Sequence, residues 1–140
     1  MGDGSRELVI DGALYRWTRS HTHVEADGAR RCVERLSAWR EGHRRAGLTV
    51  RFIDGAGGHT TAGEGWGGHD GGLLVGSIAY NLHRPALAAA IIRRALVEGW
   101  APTSGRGVVI DDGFGLLRRI GPVGGRGPAQ DRASLDRTKR

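Results

Sequence analysis

Several residue types are almost absent from the chain. Its 140 residues include one cysteine, one methionine, one lysine and one asparagine. Because Cys32 is alone, the chain has no intramolecular disulfide, as is usual in the reducing cytoplasm. No stretch approaches the roughly 20 apolar residues of a membrane span, and no signal-peptide pattern follows the first residues. We therefore expect a cytoplasmic protein with no membrane association.

Motifs of common catalytic and cofactor sites are also missing from the sequence. There is no G-x-S-x-G, C-x-x-C or H-E-x-x-H pattern. Residues 63–68 match the letters of G-x-G-x-x-G, but no helical pattern follows to receive a pyrophosphate. The glycines after residue 54 resemble a phosphate loop, yet His59 stands where that loop needs a lysine. We predict no cofactor and no catalytic residue.

Basic residues and glycine are abundant. The net charge is +6 and 25 residues are glycine. Residues 123–140 hold five basic residues against two aspartates, so half of the excess charge lies in this segment. Its composition is typical of disorder. We predict one globular domain over residues 7–121, with a mobile glycine-rich loop at 54–72, and a disordered basic tail over residues 122–140.

Three segments have clear secondary-structure patterns. An Asp-Gly pair, Asp11 with Gly12, separates two apolar stretches and predicts a hairpin. Alternation over residues 48–53 predicts a strand, and the apolar arc after Pro85 predicts a helix over about 85–98. Residues 20–28 are polar and predict a loop.

The remaining long segment, residues 29–41, is ambiguous. Its apolar positions follow helical spacing, with Asp27 as a possible N-cap and Gly42 as a stop. The same residues would also serve as a strand paired with 48–53. The predicted fold class is α+β: an antiparallel sheet of about five strands with one main helix packed on one face.

Histidine is the residue type whose distribution suggests metal chemistry. His21 and His23 project to the same side of an extended segment, because strand side chains alternate. Together with His69 from the glycine-rich loop they form a candidate zinc site. The alternative is that they are unconnected surface residues. Cys32 is interpreted as a small buried residue, with a nucleophilic role as the alternative.

One tryptophan lacks a structural explanation. Trp66 lies in the glycine-rich loop, next to His69 and Asp70 in sequence, and an exposed aromatic side chain on such a loop is typical of partner recognition. These three residues are the predicted contact with a protein partner.

The pattern of turns and helix caps resembles that of a group of small uncharacterised actinobacterial proteins of unknown function. The likeness covers roughly residues 7–118 and rests on these features: Ile10-Asp11-Gly12 with Tyr15 and Trp17, the strand Leu48 to Phe52, Asn81-Leu82 with Arg84-Pro85, and Gly99-Trp100 with Pro102. It implies a bacterial cytoplasmic origin and assigns no catalytic residue. It also implies that residues 29–41 form a strand.

Three functions follow as hypotheses. The first is a non-catalytic binding or accessory module with an unknown protein partner, such as an immunity-type protein. The second is a metal-dependent hydrolase that uses the histidines, and the third is a weak nucleic-acid binder that uses the arginines.

Overall fold

The structure is a computed structural model that describes residues 4–61 and 71–123. A five-stranded sheet has the order β1-β2-β3-β4-β8, and a smaller sheet has the order β5-β6-β7. The strands and helices are β1 (Arg6–Ile10), β2 (Ala13–Ala26), β3 (Ala29–Arg40), β4 (Leu48–Ile53), β5 (His59–Thr60), β6 (Gly72–Val75), β7 (Ile78–Asn81), α1 (Pro85–Val97), β8 (Val108–Ile110) and α2 (Gly113–Ile120). A 3-10 turn, Arg44–Ala46, precedes β4.

Two Asp-Gly turns set the strand register. Asp11 and Gly12, and again Asp27 and Gly28, adopt the positive φ angles that a two-residue hairpin turn requires. The first turn was predicted from the sequence. The second joins β2 to β3, so the prediction of a loop over residues 20–28 is wrong. Those residues continue β2, with Val24 and the neighbouring threonine and histidine residues forming a regular antiparallel ladder.

Residues 29–41 form the strand β3, as the resemblance implied. β3 pairs with β2 on one side and with β4 on the other, and both pairings are antiparallel. The helical spacing misleads because residues four apart share one face of a strand as well as one face of a helix. Cys32 and Leu36 are such a pair. Tertiary pairing on both edges therefore decides the conformation.

The sheet is mixed, which corrects the predicted antiparallel arrangement. β8 runs parallel to β4, and the chain reaches it by a long crossover that contains α1. A parallel pair needs such a crossover, whereas antiparallel neighbours need only a turn. A second helix, α2, follows β8, so the α+β class is confirmed with two helices. The predicted helix over 85–98 corresponds to α1, which Glu98 follows as C-cap.

Both helices pack on the same face of the large sheet, which we call the inner face. Buried residues of this face share one apolar cluster with both helices and with the small sheet: Tyr15, Trp17, Leu36, Leu48, Val50, Phe52, Leu73, Tyr80, Ile91, Ile92, Phe114, Leu116 and Leu117. Along β2 the inner face changes from Tyr15 and Trp17 to Arg19, His21 and His23. The polar end of β2 therefore extends from the edge of the core.

Part of the predicted domain organisation falls outside the described residues. Residues 62–70 of the predicted glycine-rich loop and residues 124–140 of the predicted tail lie there. The helices found within residues 4–61 and 71–123 are α1 and α2, and neither is long and apolar enough to cross a membrane. Cytoplasmic location stays a prediction.

A charge at the centre of α1 should unfold the domain. Ile92 is fully buried, so Ile92→Asp places an unpaired carboxylate in the core at a cost of several kcal/mol, comparable with the whole stability of a small domain. Val97→Asp in the same helix is the matched control, because the Val97 side chain is 76% exposed. Thermal melts followed by circular dichroism measure both. A cooperative melt of Ile92→Asp near the wild-type midpoint would contradict this packing.

The junction of the two helices should make stability depend on pH. Hydrogen bonds from Arg119 and Arg94 lower the pKa of the Glu98 carboxyl to about 2. A carboxyl group whose pKa is lower in the folded state than in the unfolded state stabilises the folded protein. This contribution is complete at pH values above the unfolded pKa of about 4.5, and it is lost as the pH falls through about 2. Glu98→Gln should therefore lower the free energy of unfolding at pH 6 by about 1 kcal/mol or less, since the carboxylate is exposed.

The difference between Glu98→Gln and wild type should shrink between pH 5 and pH 3 in urea denaturation. The variant Arg119→Gln should weaken the same pH dependence, because it removes the larger of the two hydrogen-bond contributions. A difference that stays constant over this range would show that the ion pairs do not stabilise the helix junction.

Candidate metal centre

Four polar side chains meet on the inner face near the end of the β2–β3 hairpin. The register places His21 directly opposite Glu34 and His23 directly opposite Cys32. Directly opposed residues of an antiparallel pair have Cβ atoms about 5 Å apart, and residues two apart on one strand share a face. The ladder therefore gathers all four side chains into one cluster.

Three of these residues carry metal-ligand atoms that lie close together. A ring nitrogen of His21, a ring nitrogen of His23 and the Cys32 sulfur all lie within 4.8 Å of one another. The two imidazole rings meet edge to face, with centroids 5.0 Å apart. Ligand atoms around a tetrahedral zinc ion lie about 3.3–3.7 Å apart. The three atoms are therefore as much as about 1 Å further apart than the ligand atoms of a bound zinc ion.

Glu34 orients His21. Its carboxylate is fully buried and accepts a hydrogen bond from His21 Nδ1 at 2.8 Å and another from Arg19 Nη1 at 2.9 Å. Because a carboxylate only accepts, Nδ1 of His21 carries a proton, and in the neutral ring Nε2 presents its lone pair. A carboxylate behind the distal nitrogen is the usual arrangement of a metal-bound histidine. His21 is thus held in the tautomer that a metal requires.

His23 is held less firmly. Its side chain is exposed, and Arg30 Nη2 lies 3.4 Å from His23 Nδ1. Arginine is only a donor, so Nδ1 accepts in this contact and the Nε2 of a neutral ring carries the proton. Coordination of a metal through Nδ1 would displace the Arg30 contact. Coordination through Nε2 would require the proton to leave that nitrogen. Arg30 is therefore a competitor of any metal ion at this site.

Two of the three ligands predicted from the sequence lie in this cluster. His21 and His23 are adjacent, as predicted, whereas His69 lies outside the described residues. The cluster also contains Cys32 and Glu34, which the predicted ligand set does not include. A sequence signal for both existed: if Asp27-Gly28 is a hairpin turn, paired residue numbers sum to 55, which matches His23 with Cys32 and His21 with Glu34.

The remaining sequence-predicted site residues fall in other parts of the chain. Trp66, His69 and Asp70, the predicted partner contact, lie outside the described residues, and that contact stays a prediction. His59 lies in β5, where its Nδ1 is 3.4 Å from Asp54 Oδ1.

The opposite, outer face of the large sheet carries a broad groove of about 590 Å³. Four hydroxyl side chains line its floor: Thr18, Ser20, Ser37 and Thr49. Arg35, Arg44 and Arg45 also line it, and Arg44 covers the ring of Trp39 at 4.1 Å. None of the described residues that line the groove is acidic. The groove is therefore positively charged and polar.

Several other arginines of the described residues have acidic partners. Arg16 pairs with Glu7 and Glu41, and further pairs are Arg51 with Asp111, Arg93 with Asp11, and Arg94 and Arg119 with Glu98. Within residues 4–61 and 71–123 no ion pair involves Arg35 or Arg45. The groove therefore includes positive charge that no acidic side chain among the described residues balances.

Comparisons with protein-family models, with curated proteins and with solved structures find no match. The resemblance to small actinobacterial proteins consequently stays a prediction, and any functional proposal rests on the geometry of this chain.

Proposed function

We propose that the protein binds one transition-metal ion, zinc foremost, through His21, His23 and Cys32. The observation that carries the proposal is the convergence of these three ligand atoms within 4.8 Å, with a buried carboxylate behind His21. Imidazole and thiolate ligands select zinc and copper, whereas magnesium and calcium prefer oxygen ligands.

Three protein ligands leave one tetrahedral position for water or substrate. Sites of this kind lower the pKa of the bound water and polarise carbonyl or phosphoryl oxygens. That arrangement supports the metal-dependent alternative of the sequence analysis, with Cys32 as a ligand rather than a nucleophile. Glu34 is engaged by both Arg19 and His21, so its part is to position His21 and not to move a proton.

Metal binding is measured directly with Co²⁺ as a spectroscopic substitute for zinc. We expect one equivalent to bind and to produce the sulfur-to-cobalt charge-transfer band of a thiolate ligand, which Cys32→Ser should abolish. His21→Ala and His23→Ala should weaken binding, and Glu34→Gln should weaken it about 10- to 100-fold. Arg30→Gln should strengthen it, because this change removes the competitor of His23. Zinc should also raise the melting temperature of the wild type.

His59→Ala is the matched control, since His59 is an exposed histidine of another strand and should not affect binding. If Co²⁺ binds without a charge-transfer band, or if Cys32→Ser leaves the affinity unchanged, the proposed ligand set is wrong. Loss of binding in His69→Ala with full binding in Cys32→Ser would favour the set predicted from the sequence.

The outer groove supports a second candidate function, namely a binding module for an acidic protein surface. This keeps the partner-binding hypothesis and moves the contact from Trp66 to the sheet. Guanidinium groups and hydroxyls suit carboxylate partners, because both donate hydrogen bonds to them. The Trp39 ring is buried beneath Arg44, so it offers no stacking surface for nucleic-acid bases.

The groove is tested with two labelled probes of similar charge, a ten-residue polyglutamate peptide and a ten-nucleotide oligo-dT. We expect fluorescence anisotropy to show tighter binding of the peptide, and the double variant Arg35→Glu/Arg45→Glu should abolish it. Arg93→Glu alters charge on α1, outside the groove, and should have a small effect. Tighter binding of oligo-dT would favour the nucleic-acid hypothesis, and binding unaffected by the double variant would exclude the groove.

A further inference from the structure

The end of the β2–β3 hairpin has a free edge. β1 pairs with β2 only as far as Trp17, whereas β2 continues to Ala26. On that side of β2, no strand of residues 4–61 and 71–123 pairs with residues 18–26. A long unpaired edge is a template for a further strand, and proteins usually cover or interrupt such edges.

The backbone of two metal ligands lies at this edge. In a two-residue hairpin the pair next to the turn exchanges both of its hydrogen bonds, and bonded pairs alternate from there along the ladder. The even-numbered residues of β2 therefore bond to the β3 side, as does Leu14, whose carbonyl oxygen accepts from the Glu41 N–H. His21, His23 and Glu25 consequently direct their N–H and C=O groups towards the free edge.

Two carboxylates near the turn are unpaired. Glu25 and Asp27 are exposed, and among the described residues no ion pair involves either of them. Glu25 shares the inner face with His21 and His23, because alternate residues of a strand lie on one face. A carboxylate able to bind zinc therefore lies in the same row as the two histidines.

Space along β2 selects the register in which a second copy of the chain can pair with this edge. Antiparallel pairing about a twofold axis at His23 places the hairpin turn of the second copy opposite Thr18 and Arg19. β1 has ended there, and a small open pocket lies beside these two residues. An axis at Thr22 would place the turn opposite Trp17, which already pairs with β1. The axis at His23 therefore gives the longer ladder that leaves β1 in place.

The same register matches opposite chemistry across the edge. Glu25 of the second copy lies opposite His21, and Asp27 of the second copy lies opposite Arg19. The Arg19 guanidinium donates from Nη1 to Glu34 and carries further N–H donors. Both unpaired carboxylates of one copy therefore meet a metal ligand or a cation of the other.

We propose that two copies of this chain pair along the free edge of β2, and that Glu25 of each copy is the fourth ligand of the metal ion held by the other. The inference rests on the proposed metal function and names the partner of that site. Directly opposed residues have Cβ atoms about 5 Å apart, so Glu25 and His21 can reach one ion. Two imidazoles, one thiolate and one carboxylate complete a tetrahedral zinc site. Pairing thus replaces water at the position that a single chain leaves open.

Sedimentation velocity of the full chain measures the association, in EDTA and with one equivalent of Zn²⁺ per chain. We expect monomers of 15.0 kDa in EDTA and dimers with zinc. Glu25→Gln should weaken zinc-dependent dimerisation by roughly tenfold or more, since even the groups that orient metal ligands change affinity about 10- to 100-fold. It should still bind Co²⁺ with the thiolate charge-transfer band. Glu7→Gln changes an exposed carboxylate of β1 and is the matched control, which should dimerise as the wild type does.

The double variant Thr22→Lys/Val24→Lys tests the edge itself. Both positions lie on the outer face, away from the metal ligands, and each is opposite the other in the second copy. Like charges directly opposed across a strand pair are destabilising. The variant should therefore stay monomeric with zinc, retain the cobalt charge-transfer band and melt cooperatively.

A mixing experiment tests whether Glu25 acts on the other copy. Cys32→Ser and Glu25→Gln each lack a complete site when alone. Their mixed dimer has one complete site, formed by His21, His23 and Cys32 of the Glu25→Gln chain with Glu25 of the Cys32→Ser chain. An equimolar mixture should therefore recover zinc-dependent dimers.

Four results would overturn the inference while leaving the metal function in place. They are a wild type that binds Co²⁺ with the thiolate band but stays monomeric with zinc, a Glu25→Gln variant that dimerises as tightly as the wild type, a lysine variant that dimerises, and a mixture that recovers no dimer. Absence of cobalt binding by the wild type would instead overturn the proposed metal function, and this inference with it.

Discussion

The register of the β2–β3 hairpin is the constraint on which the rest of the arrangement depends. Twelve residue pairs form the β2–β3 ladder, and the turn at Asp27 and Gly28 connects its two strands. A shift of one residue would move every side chain of one strand to the opposite face. Trp17 would then leave the core, and His23 would no longer face Cys32. The same register thus serves the apolar core and the candidate metal centre.

Glu34 is a fully buried carboxylate of the candidate metal centre. Removing a carboxylate from water costs several kcal/mol unless its oxygens are paired, and here Arg19 and His21 each satisfy one oxygen. Buried ion pairs contribute little net stability, which suggests that this one is retained for positioning. Its hydrogen bond from His21 Nδ1 orients the imidazole, and its hydrogen bond from Arg19 Nη1 satisfies the other oxygen.

The two faces of the large sheet differ in chemistry for a simple reason. The inner face is covered by α1 and α2, so most of its side chains are apolar, and a cluster of polar groups lies where β2 extends towards the end of the hairpin. No helix of the described residues packs into the outer groove, whose floor consists of small hydroxyl side chains with arginines around them. A metal ion and an acidic partner would therefore use opposite faces of one sheet.

The sequence by itself determined the elements with strong local signals. These are the hairpin at Asp11 and Gly12, the strand over residues 48–53, the helix after Pro85 and the α+β class. Local spacing left residues 29–41 open, because residues four apart share a face in both a helix and a strand. Tertiary structure decided that β3 is a strand, that β8 pairs in parallel, and that Cys32 and Glu34 accompany His21 and His23. Pairing between strands distant in sequence depends on burial and on hydrogen bonds across the sheet, which no local pattern of residues contains.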